Sequence, residues 1–563
     1  MPGFYVSNYK LVPEIPSFEI KSIIESISYL NYNIIRYTLD KFLNDKIFFE
    51  NEDYIIILEG VILNKKLLLT SNNMVTLKEY IITRVNLNQF DFFKDFRGSF
   101  SGAIYHKKRS VWHFYTNHIG DKPLFYYIDG VNFIVSSDPI MIIKALRKLR
   151  LQISLDEEAV KSMLAYGYMH DSFTYCKEVK RILPGNYLEI SNNVSKTLCY
   201  HKFDFTYNKN IDIKSLIHTI EVVFDRAVKM EIEKDIEYDY NHLVDLSGGL
   251  DSRMVNIVGK KYTVNKVLNI TYSQNDYLDE AIAKKISSDL GNDFIFYSLN
   301  SASFIYDLNK TVSMNYGLSY YAGITGGNRL LGFMNLNNFG LEHTGQLGDV
   351  ILGTFLKRRD EKIDFAGMYS KNNSSFLNKD NLDKFNSKEE YMIYVRGFLG
   401  TLNSHLIRQN YTEVTSPFLD VDFMQVCFSI PPEFRINHKL YKDWIRVYHN
   451  SAMNYKWEKT KTRIYNNSLF ENIVIKYKRF IDRVLRKLGL SENKSMNPFD
   501  KWYNTNSKIY HFINEYYNNN IHLKIIPENV QSILQESFHS KSVITKLQVL
   551  TVIESLKVYF DES

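Results

Sequence analysis

The spacing of apolar positions changes once along the chain, near residue 205. Before it, short β-branched and aromatic runs such as DYIIILEGVIL (53–63), SGAIYHKKRSVWHFYT (101–116) and PLFYYIDGVNFIVSS (123–137) are broken by turn residues and predict strands. RILPGNYLEI (181–190) predicts strand–turn–strand around Pro184-Gly185. Beyond the change, Leu216, Ile217, Ile220, Val223, Phe224, Ala227 and Val228 recur at helical spacing and predict a helix within 213–235. HLVDL (242–246) then predicts a buried strand, DSRMVNIVGKK (251–261) a helix, KVLNITY (266–272) a strand and LDEAIAKKISSDLG (278–291) a helix. Such alternation predicts a parallel α/β sheet. The last two hundred or so residues predict mostly helix. The expected organisation is a β-rich domain over 1–205 and an α/β domain over 206–563.

Composition narrows the classes. Of 563 residues, 45 % are hydrophobic and 23 % charged, enough to bury large cores. Lys plus Arg minus Asp plus Glu is 69 − 63 = +6, too mild an excess over this length for a nucleic-acid-binding protein. No run approaches the ~18 apolar residues of a membrane span. The start, MPGFYVSNYK, lacks a basic region followed by an apolar one, so no signal peptide is expected and the location is expected to be cytoplasmic. Three cysteines, Cys176, Cys199 and Cys427, exclude a disulfide framework and have no metal-ligand spacing. IKYKRFIDRVLRKLG (475–489) is basic with helical apolar spacing; it could meet a membrane surface or anionic glycan, but a helix packed on the α/β domain is the expectation.

The strongest chemical signal is Ser247-Gly248-Gly249-Leu250-Asp251-Ser252, between a predicted strand and helix. Two glycines let backbone N–H groups approach an anion without Cβ clashes, and the helix start behind them adds positive potential. Ser247 and Ser252 offer hydroxyls. Asp251 beside phosphates requires a bridging cation, which implies Mg²⁺. The plainer alternative is a tight turn with a capping Asp. The segment is not a Walker A loop, lacking GxxxxGK[ST].

This loop resembles the pyrophosphate-binding SGGxDS loop of the ATP pyrophosphatases, and the chain resembles the asparagine synthetases among them. His343-Thr344-Gly345-Gln346-Leu347-Gly348-Asp349 is similar to that family's SGEGSDE, Glu413–Asp420 (EVTSPFLD) to ExRxPFLD, and WEKTK (457–461) to its basic segment. GSFSGAIY (98–105), HIGDKPLFYY (118–127) and LPGNY (183–187) are similar to the glutaminase domain. The resemblance implies an α+β N-terminal sandwich of the Ntn-hydrolase type. An α/β parallel-sheet ATP pyrophosphatase domain with a helical C-terminal part follows. It implies a carbon–nitrogen ligase using ATP and Mg²⁺: a carboxylate attacks the α-phosphorus, pyrophosphate leaves, and an amine displaces AMP to give an amide. It assigns the phosphates to residues 247–252 and Gly345, and Mg²⁺ to Asp251 and Asp349. Lys459 or Lys461 is assigned to phosphate charge. Asp279 matches an acidic family position and could equally cap its helix. Glu413 is the candidate base for the attacking amine, with a structural ion pair as the alternative.

The pattern breaks where glutamine would be hydrolysed. The family's Met-Cys-Gly start is Met1-Pro2-Gly3 here, no RHRGPD segment occurs, and the acid that holds the glutamine amine is Val61. A folded but inactive glutaminase domain is expected, as in the related β-lactam synthetases, lasso-peptide cyclases and proteins of surface-polysaccharide gene clusters. Gln346 and Thr415 replace the glutamate of SGEGSDE and the arginine of ExRxPFLD, which puts aspartate as substrate in question. The expected partners are a small-molecule, glycan or peptide carboxylate and an amine donor, namely ammonia, a substrate amine or glutamine; a homodimer is a further candidate. The alternatives are a glutamine-hydrolysing asparagine synthase and a non-catalytic nucleotide-binding scaffold.

Overall fold

The computed structural model describes all residues except 16–20, 192–193, 208–211, 324–326, 357–362, 364–381, 488–494 and 562–563. The first two hundred residues carry twelve strands: β1 (Gly3–Ser7), β2 (Ser22–Tyr29), β3 (Tyr32–Leu39), β4 (Ile47–Glu50), β5 (Tyr54–Ile62), β6 (Gly98–His106), β7 (Val111–Thr116), β8 (Phe125–Asp129), β9 (Asn132–Ser136), β10 (Lys180–Arg181), β11 (Asn186–Ser191) and β12 (Val194–Cys199). They form two antiparallel sheets, β10-β8-β9-β1-β3-β2 and β12-β11-β7-β6-β5-β4. Strand β5, next to the edge strand β4, is buried along its whole length because its two faces serve different cores. Ile55 and Ile57 meet Phe4, Val6, Trp112 and Phe114 between the sheets. Ile56, Leu58 and Ile62 pack outward on Tyr80, Ile81 and Val85 of the helix Leu77–Asn86. The other sheet turns Tyr5, Tyr37 and Phe125 outward onto the helices Pro139–Lys148 and Glu157–Tyr166. The predicted turn at Pro184-Gly185 is present; Gly185 has φ +68°, and a Cβ there would lie 2.2 Å from the His201 carbonyl oxygen.

Beyond residue 205 the sheet is parallel: β13 (Asn241–Asp245), β14 (Val267–Ser273), β15 (Asp293–Ser298), β16 (Phe339–His343) and β17 (Val414–Thr415), in the order β15-β14-β13-β16-β17. On one face Val244 packs with Ile220, Phe224, Val228 and Met254 of the helices Ile213–Glu237 and Asp251–Gly259. On the other, Leu243 and Ile270 meet Leu330, Leu331 and Tyr411. The strand order reverses at β13, since β14 lies on one side and β16 on the other. Loops after β13 and β16 therefore part to opposite sides, and a crevice opens at the carboxyl ends of these two strands.

The C-terminal helices do not stay with the parallel sheet. Leu547, Leu550, Ile553 and Leu556 of the helix Val543–Phe560 join the core beneath the N-terminal sheet, with Tyr5, Tyr37 and Met163. The basic stretch 475–489 falls on the helix Ser468–Lys487, with 488 and 489 outside the described residues. Cys176, Cys199 and Cys427 are all free thiols. No helix among the described residues is long and apolar enough to cross a membrane.

Candidate active site

The crevice at the switch point is walled by the loops 247–252 and 344–349, which touch through their glycines. A Cβ on Gly345 would lie 2.4 Å from the Ser252 amide nitrogen, and one on Gly348 2.7 Å from the Asp251 carboxyl carbon. The first loop is held open by its own side chains. The Ser252 hydroxyl accepts the Ser247 amide at 3.0 Å, and the Ser247 hydroxyl accepts the Gly249 amide at 3.2 Å. Leu250 anchors the turn in the core. No side chain caps the helix Asp251–Gly259, so its first N–H groups have no intrahelical partner. A cavity of about 470 Å³ opens here, lined by Ser247, Gly249, Asp251, Ser252, Asp279 and Gly345 among others.

Asp279 belongs to this site and does not cap its own helix. Its carboxylate accepts the Gly248 amide at 2.7 Å. Burial, with the nearby charge of Glu458, pushes its pKa up to about 6. The segment 457–461 is strapped across the first loop. Arg253, fully buried, donates to the carbonyls of Ala452, at 2.9 Å, and Gly248, at 3.2 Å. The Glu458 amide donates to the Gly248 carbonyl at 3.1 Å.

Asp251 and Asp349 face each other. The Asp349 amide donates to Asp251 Oδ2 at 3.0 Å, while Asp251 Oδ1 is buried without a hydrogen-bond partner. Burial, and then the Asp349 charge, raise the Asp251 pKa well above the ordinary carboxylate range. Two neighbouring carboxylates, one with an unsatisfied buried oxygen, fit a divalent cation with oxygen ligands.

Lys459 and Lys461 are separated by a turn in which Trp457 pairs with Thr462 and Lys461 takes φ +58°. Lys461 leaves the crevice to pair with Asp482 at 3.2 Å. Lys459 points inward, its Nζ 2.8 Å from His438 Nε2. Burial, then the Lys459 charge, lower the His438 pKa to about 4, so the ring is neutral and accepts from the ammonium. Its Nδ1 faces Thr354 Oγ1 at 3.4 Å, and that hydroxyl donates to Asp349 at 2.9 Å. A chain Asp349–Thr354–His438–Lys459 thus sets the lysine beside the two acids. Nothing in the spacing of His438 signals this role.

Glu413 lies elsewhere. It is 1 % exposed, sits between Lys122 at 2.9 Å and Lys46 at 3.4 Å, and does not line the cavity. Burial works to raise its pKa, but the two lysines outweigh it and hold the carboxyl low. This placement fits the structural ion pair. Thr415 donates to Glu231 at 2.8 Å and lines a separate cavity of about 30 Å³ between the two halves. His343 is also turned inward, 2.7 Å from Asp235; burial opposes its charge, but Asp235 and Glu231 raise its pKa to about 10. Gln346 does line the large cavity, donating to Ser404 at 2.7 Å and to the Thr401 carbonyl at 3.1 Å. Arg408 joins it, paired with Glu342 and with Asp245 at 3.2 Å and donating to the Tyr272 hydroxyl at 2.6 Å. These four residues, scattered over more than 160 positions, have no local signature.

Comparison with known proteins agrees with this layout in part. Residues 46–201 match the glutamine amidotransferase domain model. A Methanocaldococcus jannaschii protein provisionally named glutamine-hydrolysing asparagine synthetase 2 is 26 % identical over 271 residues, 46 % of this chain and 51 % of the relative. Glutamine-hydrolysing asparagine synthetase 1 of Bacillus subtilis is 23 % identical over 276 residues, 47 % of this chain and 42 % of the relative. The chain thus spans about half the length of the curated relatives it matches. Among solved structures, glutamine phosphoribosylpyrophosphate amidotransferase from B. subtilis aligns over 53 % of this chain and 85 % of its own, at 9 % identity and a TM-score of 0.23, too low to bear on the fold. An amidotransferase-type domain over 46–201, together with these low-identity relatives, supports the asparagine synthetase family.

Proposed function

We propose that this chain is an ATP-dependent, AMP- and pyrophosphate-forming amide ligase, with its N-terminal domain serving as a scaffold without glutaminase activity. The observation that carries the reading is the facing pair Asp251 and Asp349, with an unsatisfied buried oxygen, beside the glycine loop and Lys459. The N–H groups of the 247–252 loop and of the uncapped helix hold the leaving pyrophosphate in place. Lys459, fixed by His438, offsets the charge that gathers on phosphate oxygens as the carboxylate attacks. Asp251 and Asp349 would hold Mg²⁺, which would supply charge neutralisation for the phosphates. The carboxylate oxygen bonds to the α-phosphorus as the bond to pyrophosphate breaks. The amine then bonds to the acyl carbon, loses a proton, and AMP departs. Gln346 and Arg408 line the part of the cavity left for the acyl substrate. Buried Val61 and Pro2 provide neither an acid nor a thiol for glutamine, which supports ammonia or an amine as the donor.

ATP–pyrophosphate exchange tests this, with purified protein, Mg²⁺ and a panel of aspartate, uronic acids and carboxylated peptides. Exchange that depends on one acid supports the ligase and names its substrate. A protein that binds no ATP overturns it. Ammonia, glutamine and amines, added in turn, identify the donor; amide formation from glutamine alone would favour the glutamine-hydrolysing synthase instead.

A further inference from the structure

The helix Ser468–Lys487 is packed by one face and bare on another. Its inner face carries Ile475, buried, and Glu471, which takes Lys442 at 2.9 Å and Arg446 at 2.7 Å. Asp482 turns to Lys461 at 3.2 Å and Lys478 at 3.3 Å. The two acids of this segment are thus both committed to ion pairs. Outward, Phe470, Ile473, Tyr477, Phe480 and Val484 are 52, 64, 66, 61 and 38 % exposed. Their 3-4-3-4 spacing places them in one stripe about 80° wide. Lys476, Arg479 and Arg483, all exposed, run along one flank of it. Scattered exposed apolar residues need no explanation, but a continuous stripe rich in aromatics, flanked on its open side by cations, does.

We propose that this face docks the protein on an anionic membrane surface, with the aromatic stripe entering the headgroup boundary and Lys476, Arg479 and Arg483 meeting lipid phosphates. Charge complementarity selects this occupant. A second copy of the same helix would bring another cationic flank and no outward acidic row to answer it. The inference stands independently of the ligase reading, because its test measures binding alone.

The test is cosedimentation of the full chain with vesicles of phosphatidylcholine alone and of phosphatidylcholine mixed with phosphatidylglycerol. The expected result is binding to the mixed vesicles, at least ~10-fold weaker to neutral ones and weakened by salt. A Lys476→Glu, Arg479→Glu, Arg483→Glu variant and an Ile473→Ser, Phe480→Ser variant should each lose ~10-fold or more, with unchanged thermal melting, since these side chains are exposed. Absence of binding to anionic vesicles, or equal binding by the charge-reversed variant, overturns the proposal. So does a wild-type dimer in light scattering that Ile473→Ser, Phe480→Ser dissolves without any vesicle binding, which would assign the stripe to a second copy.

Discussion

Two groups of charged residues in this molecule differ in a way that separates the proposed reacting site from a seam. Around Glu413, the side chains of Lys46, Lys122 and Glu59 are 0–1 % exposed, and opposite charges alternate in the chain Glu59–Lys46–Glu413–Lys122, away from the large cavity. Around Asp251, the neighbouring acid Asp349 carries the same sign of charge, and about 470 Å³ of space opens in front. A folded chain keeps the first arrangement for cohesion across its two halves. The second costs stability unless a ligand completes it. Carboxylates of the same residue class, less than 170 positions apart, therefore do different work, and what each faces is what tells them apart.

Substitutions should split the two groups. Asp251→Ala should abolish pyrophosphate exchange, a loss of at least ~100–1,000-fold, while the fold persists. Glu413→Ala should leave Lys122 buried without its counter-charge and Lys46 with Glu59 alone. It should destabilise the protein by about 3–5 kcal/mol in denaturant titration. Lys459→Ala should lower the exchange rate ~100-fold and Lys461→Ala by no more than ~3-fold, because only the first faces the acids. Smaller still, Asp251→Asn should raise the melting temperature of the metal-free protein by a few degrees at high pH, since it removes a carboxyl whose ionisation burial and Asp349 oppose.

The pH dependence sharpens the same contrast. The Asp251 carboxyl holds a proton well above the ordinary carboxylate range until a cation displaces it, so Mg²⁺·ATP should bind more tightly as pH rises above that range, with proton release in calorimetry. Asp279 keeps its proton to about 6 in the fold against 3.8 for the free group. Between those values the native state binds more protons than the unfolded one, so this group's contribution to stability falls as pH rises through the window. Asp279→Asn should flatten that part of the stability profile.

What could be read along the chain was what is local. Strand, glycine turn and helix sit within twenty residues at 241–259, so both the crevice wall and its anion-binding character were legible there. The parallel sheet followed from alternation, and the antiparallel half from short aromatic runs. The rest depends on chain reversal. Lys459 and Lys461 look alike until a left-handed residue at Lys461 turns them apart and His438 claims one. Glu413 reads as a motif acid, but its partners Lys46 and Lys122 come from the other half of the molecule. Asp279 reads equally as a site acid or a helix cap, and what decides is its hydrogen bond to Gly248, thirty-one residues away. The C-terminal helix Val543–Phe560 reads as part of the second domain yet fills the core beneath the first. The helix Ser468–Lys487 was expected to pack, and it does, but apolar residues on two of its faces cannot both be covered by one partner surface.

The most direct test of the account is titration calorimetry of ATP binding, with and without Mg²⁺, on the wild type and on the Asp251→Asn and Glu413→Gln variants. The account predicts Mg²⁺-dependent binding by the wild type, its loss in Asp251→Asn, and its retention in folded Glu413→Gln. Retained binding in Asp251→Asn together with loss in Glu413→Gln would contradict it, and would move the nucleotide to the seam between the two halves.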